Sequence, residues 1–117
     1  MKDLFDNNKE LKMDKLIRDG KVAVLVSPGY GAGWYTWNSD RPECLFDPDI
    51  VKMVLGEVEG SISELAEQKW DQGNDSFYSG GADDLVVQWL DEGTQFRINE
   101  YDGSETLVTM PDLYLVA

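Results

Sequence analysis

The chain of 117 residues has no histidine and a single cysteine, Cys44. A lone cysteine excludes an intramolecular disulfide. Without histidine, a zinc site or a cysteine nucleophile paired to histidine lacks its parts. Cys44 therefore reads as a small buried apolar residue. The missing imidazole also removes the side chain that most often moves protons near neutral pH, leaving carboxylates, lysines and tyrosines. That weakens the case for an enzyme without closing it. Long apolar runs are absent too: the longest span five residues, so the sequence predicts neither a membrane span nor a signal peptide, and the expected setting is the cytoplasm.

Positive charge is scarce beyond the first segment. Residues 1–21 hold six Lys/Arg against five Asp/Glu, whereas the remainder holds only Arg41, Lys52, Lys69 and Arg97 against eighteen acids, within a net charge of −13. Such a surface repels DNA, RNA and anionic lipid, which excludes direct nucleic-acid binding by attraction and favours a basic protein partner or a cation. Averaged over a globule of this size, the charge is about fivefold more dilute than that of DNA, so mimicry of DNA would need most acids on one face.

The length suits one domain over 1–117, with residues 1–8 loosely ordered. Lys9–Asp19 reads as a short helix with Leu11, Met13, Leu16 and Ile17 as its apolar positions and Gly20 as its stop. Lys21–Ser27 is a strand whose apolar residues do not alternate, which predicts burial on both faces and a central place in a sheet. Asp47-Pro48-Asp49 opens a second helix that ends at Gly56, and Ser61-Ile62-Ser63-Glu64 opens a third that runs to about Trp70. Leu85–Asp91 and Thr94–Tyr101 then read as a β-meander that continues past the Asp102-Gly103 turn, with a last strand over Asp112–Ala117. The expected fold is α+β: a mixed or mainly antiparallel sheet packed with two to three short helices.

What is present in unusual density is glycine and aromatic side chain over "SPGYGAGWYTWN". Gly29, Gly31 and Gly33 follow a strand, where nucleotide-binding proteins place a phosphate loop. However, Trp34-Tyr35-Thr36-Trp37 is β-prone rather than helix-opening, and no Gly-Lys-Ser/Thr follows, so phosphate binding of either standard kind is not expected. Two uses stay open: packing, or a docking surface made by Ser27, Gly29, Tyr30, Gly31, Gly33, Trp34, Tyr35, Trp37 and Asn38. A second candidate surface is acidic: Asp71, Asp75, Asp83, Asp84, Asp91, Glu92, Glu100, Asp102 and Glu105. If Asp102-Gly103 is a two-residue turn, Glu100 stands opposite Glu105, a costly pair unless the two are solvated or share a cation. Spacing does not compose a calcium loop or a catalytic carboxylate pair, and no metal or cofactor site is assigned.

At "KVAVLVSPGYGAGWYTWN" together with "GGADDLVVQWLDEGTQFRINEYDGSE" the sequence resembles a group of small acidic proteins encoded by bacteriophages and prophages. The resemblance brings no activity and no catalytic residues. It implies a host-cytoplasm setting and an accessory or host-defence-countering role, which agrees with the charge reading of a host protein of basic surface as partner. The residues leave open the alternatives of a small-ligand or nucleotide-derivative binding protein using the Gly29–Asn38 loop and of a structural phage component, and a homo-oligomer in any of these readings.

Overall fold

The computed structural model describes residues 14–73 and 76–109. Strands β1 (Ile17–Arg18) and β2 (Lys21–Val26) are followed by a 3-10 turn at Pro42–Leu45, helix α1 (Pro48–Val54) and helix α2 (Ile62–Trp70). A second 3-10 turn at Ala82–Asp84 leads to β3 (Val86–Asp91), β4 (Phe96–Tyr101) and β5 (Ser104–Thr109). All pairings are antiparallel, in a sheet of order β1-β2-β3 and a separate β4-β5 hairpin. The fold is α+β.

Strand β2 explains this arrangement. Its apolar run has two sets of side chains pointing to opposite faces, and each set meets its own core. Ala23 and Leu25 pack with Trp34, Cys44, Ile50, Val51, Ala66, Trp70 and Phe77. Val22, Val24 and Val26 pack with Leu45 and Phe46, and with Leu90, Phe96, Ile98 and Leu107. The helices cover one face and the β4-β5 hairpin covers the other, so β2 is central, as its lack of alternation predicts.

Both helices start where their caps predict. The Asp47 carboxylate accepts from the Ile50 amide at 3.1 Å, with Pro48 at the first helical position, and the Ser61 hydroxyl accepts from the Glu64 amide at 3.2 Å. Lys69 then ties the two helices, its ammonium lying 3.0 Å from Asp47 and 3.1 Å from Asp49.

Three expectations are corrected or fall outside the described residues. The helix expected over Lys9–Asp19 is replaced, from residue 14 onward, by extended chain and β1. Asp19 and Gly20 both take positive φ (53° and 77°), and Ile17 pairs with Val22 across them. Asp-Gly is the strongest short hairpin signal, and it overrides a weak helical pattern. The expected meander is also broken: β4 leaves the plane of β3 at Glu92-Gly93 and pairs only with β5. Beside β3, Phe96 and Ile98 would leave the second face of β2 in water; stacked over it, they bury it. The strand expected over Asp112–Ala117 lies outside the described residues, as do residues 1–13 and Asp75.

Candidate functional site

The chain leaves β2 at Ser27 and enters the glycine-rich loop against the tip of the β4-β5 hairpin. Asp102 and Gly103 take positive φ (49° and 85°), the two-residue turn predicted, and the register places Glu100 opposite Glu105 as expected. The two carboxylates are treated differently: Glu100 is exposed to solvent, whereas Glu105 is not. Glu105 is 2% exposed. Its Oε1 accepts from the Ser27 amide at 3.0 Å, and its Oε2 accepts from the amides of Trp34 (2.7 Å) and Thr36 (2.9 Å) and from the Thr36 hydroxyl (2.7 Å). Four donors saturate a buried carboxylate and offset much of its desolvation. The Glu105 amide returns a hydrogen bond to the Ser27 carbonyl at 2.8 Å.

The glycine loop therefore does gather its amides round an anion, and the anion is the protein's own. Backbone amides from three separate points of one loop, Ser27, Trp34 and Thr36, converging on a carboxylate make an anion-binding concavity. Here a side chain from the opposite hairpin fills it. Further contacts lock loop to hairpin: the Gly31 amide donates to the Asp102 carbonyl at 2.7 Å and the Ser104 hydroxyl to the Pro28 carbonyl at 2.7 Å. Gly103 lies against the backbone of Gly31 and Ala32, where a Cβ would collide.

The candidate loop residues separate into two groups. Ser27, Gly33, Trp34 and Asn38 are buried, and Tyr35 packs at the edge of both cores. Trp34 is fully buried, donates its indole N–H to the Cys44 carbonyl at 2.7 Å and makes edge-on contacts with Phe77 (5.2 Å) and Trp70 (6.3 Å). Trp34 is thus core, and a docking part for it is corrected. Asn38 stitches the loop to the next segment, donating to the carbonyls of Trp34 (2.7 Å) and Tyr78 (2.8 Å) and accepting from the Tyr78 amide (2.8 Å). Burial raises the pKa of the Cys44 thiol, with the nearby Glu105, Glu43, Asp40 and Asp47 carboxylates acting in the same direction.

Tyr30 and Trp37 form the exposed group, at 74% and 42%. Tyr78, which the sequence reading did not select, joins Trp37, their ring centroids 5.2 Å apart, and Tyr101 at the hairpin turn is also exposed, at 71%. Glu100 belongs here too. Its Oε2 accepts from the Gly103 amide at 2.7 Å and lies 3.4 Å from the Trp37 indole nitrogen.

The acidic candidates do not act as one surface. Glu105 is interior, a correction that follows from its four internal donors. Glu100, Asp102 and Asp84, whose carboxylate rests over Gly29, gather around the loop. Asp91 and Glu92 sit at the far end of β2, where Asp91 pairs with Lys21 at 2.7 Å. Asp71 closes α2, and Asp83 lies exposed in the second 3-10 turn. Among the described residues no three Asp, Glu or Cys side chains assemble as metal ligands, and no helix is long and apolar enough to cross a membrane.

No family model matches the chain, and no solved structure matches it. Over 80 residues it is 29% identical to a mouse (Mus musculus) protein described as tubulointerstitial nephritis antigen-like. That alignment covers 68% of this chain and 14% of the mouse protein.

Proposed function

We propose that this chain is a non-enzymatic binding domain that blocks a basic surface of a protein partner, using the face built by the glycine loop and the β4-β5 hairpin. The observation that carries this reading is the occupation of the loop's amide cradle by Glu105, with Tyr30 and Trp37 projecting from the same loop. Amides already committed to a carboxylate argue against a nucleotide there. A loop fixed at both ends by a hairpin presents its aromatics at low entropic cost, which favours tight contact with another protein. Asp84 lies against Gly29, Asp102 meets Gly31 through its carbonyl and Glu100 reaches the Trp37 indole, and these carboxylates along the same loop favour a basic partner and speed its approach. The resemblance to phage and prophage proteins makes that partner a host protein and the setting the host cytoplasm.

The test is quantitative capture from host lysate at low and high salt, using the tagged chain, a Tyr30→Ala/Trp37→Ala/Tyr101→Ala variant, and a Glu59→Gln/Glu64→Gln control beside the helices. A basic protein held at low salt by the chain and the control, and lost by the aromatic variant, is the expected result. Equal retention by all three, or a bound metabolite with no protein, contradicts the reading.

A further inference from the structure

On the basis of the binding face proposed above, we infer that Trp37, Tyr78 and Glu100 together receive an arginine side chain of the partner. The two rings are fixed in position. Trp37 lies over Gly33, where a Cβ would stand 2.8 Å from the indole Cδ1, and Tyr78 lies over Gly80, where a Cβ would stand 2.5 Å from the phenol ring. Their centroids are 5.2 Å apart with the planes inclined at 38°, and both residues are more than two-fifths exposed. A surface aromatic pair seated on two glycines is preformed rather than collapsed.

Glu100 defines what fits the pair. Among the described residues both hydrogen bonds that Glu100 accepts go to Oε2, and Oε1 accepts none. An apolar occupant covering the rings would desolvate that oxygen without repaying it, so the occupant must bring a donor. It must also carry positive charge, given a chain of net charge −13 with Asp102 two residues away. A guanidinium meets both conditions and suits the rings as well: it is flat enough to stack on an indole, weakly hydrated, and forked so that its edge reaches a carboxylate while its face lies on the ring. An ammonium brings charge without the plane.

Two blocked peptides of equal length and charge, one carrying arginines and one lysines, are titrated into the 15N-labelled full chain while the indole N–H signals of Trp34, Trp37, Trp70 and Trp89 are followed. Expected is a saturable shift confined to Trp37, about threefold or more tighter for arginine than for lysine. Glu100→Gln should remove that preference while the Trp34 and Trp70 signals stay in place, which shows that the variant is folded. Equal affinities for the two peptides, or no saturable Trp37 shift in the millimolar range, would overturn the assignment. If the aromatic variant still loses its lysate partner, the binding face stands and only its arginine is wrong; if partner capture is also indifferent to the aromatics, both readings fall.

Discussion

Glu105 and Glu100 face each other across one hairpin, two residues of the same chemistry in regions that differ in almost every other respect. Around Glu105 the protein is closed: three amides and a hydroxyl from the glycine loop converge on the carboxylate, and Trp34 packs beneath it in the core. Around Glu100 it is open: one amide and an indole hold one oxygen, and the neighbouring rings meet solvent. Placing both carboxylates on the inward side of the hairpin lets one fasten the loop while the other stays at its rim. The same register that makes the pair electrostatically costly divides it into a structural member and a surface member.

The division is tested most severely at the two tryptophans, three residues apart. Trp34→Ala should cost about 3–5 kcal/mol in urea unfolding, because it empties a filled core. Trp37→Ala should cost about 1 kcal/mol, the size of an exposed aromatic contact. Similar losses at both would erase the distinction between a buried and a presented half of the loop. Next in size is the carboxylate pair itself. Glu105→Gln retains the shape but turns an amide NH2 toward buried donors, with an expected cost of about 3 kcal/mol, whereas Glu100→Gln should change stability by less than about 0.5 kcal/mol.

The smallest effect is at Cys44, whose thiol sits against the closed region. Burial raises its pKa in the folded chain, so the unfolded chain is the first to release this proton as pH rises. Stability from this group is complete below the ordinary thiol value of about 8.5 and declines above it. A thiol reagent at pH 8 should accordingly modify Cys44 only at the rate of unfolding, and fast modification of the native chain would show that the region is not closed.

Much of the frame was legible in the residues. The uninterrupted Val22–Val26 run marks a strand buried on both faces, the Asp47-Pro48 and Ser61 caps mark both helix starts, and Asp102-Gly103 fixes the register of the last hairpin. The same dipeptide at Asp19-Gly20 carries the same signal, but nearby apolar residues at helical spacing obscured it. The stacking of β4-β5 over β2 was not legible, since it depends on which face of β2 remains uncovered after the helices pack. At the site, the opposition of Glu100 and Glu105 follows from the turn. The donors that resolve it come from residues some seventy positions away in sequence, and only the folded chain brings them together. Tyr78 carries no local pattern at all; its place beside Trp37 is a product of topology.

The central claim is that the glycine loop is held by an internal carboxylate, and amide hydrogen exchange tests it most directly. In the native chain the amides of Ser27, Trp34 and Thr36 should exchange as slowly as those of the β2-β3 ladder. In Glu105→Gln these three should accelerate sharply while the ladder stays protected. If they exchange rapidly in the native chain, or are unaffected by Glu105→Gln, the carboxylate does not hold the loop and the account fails.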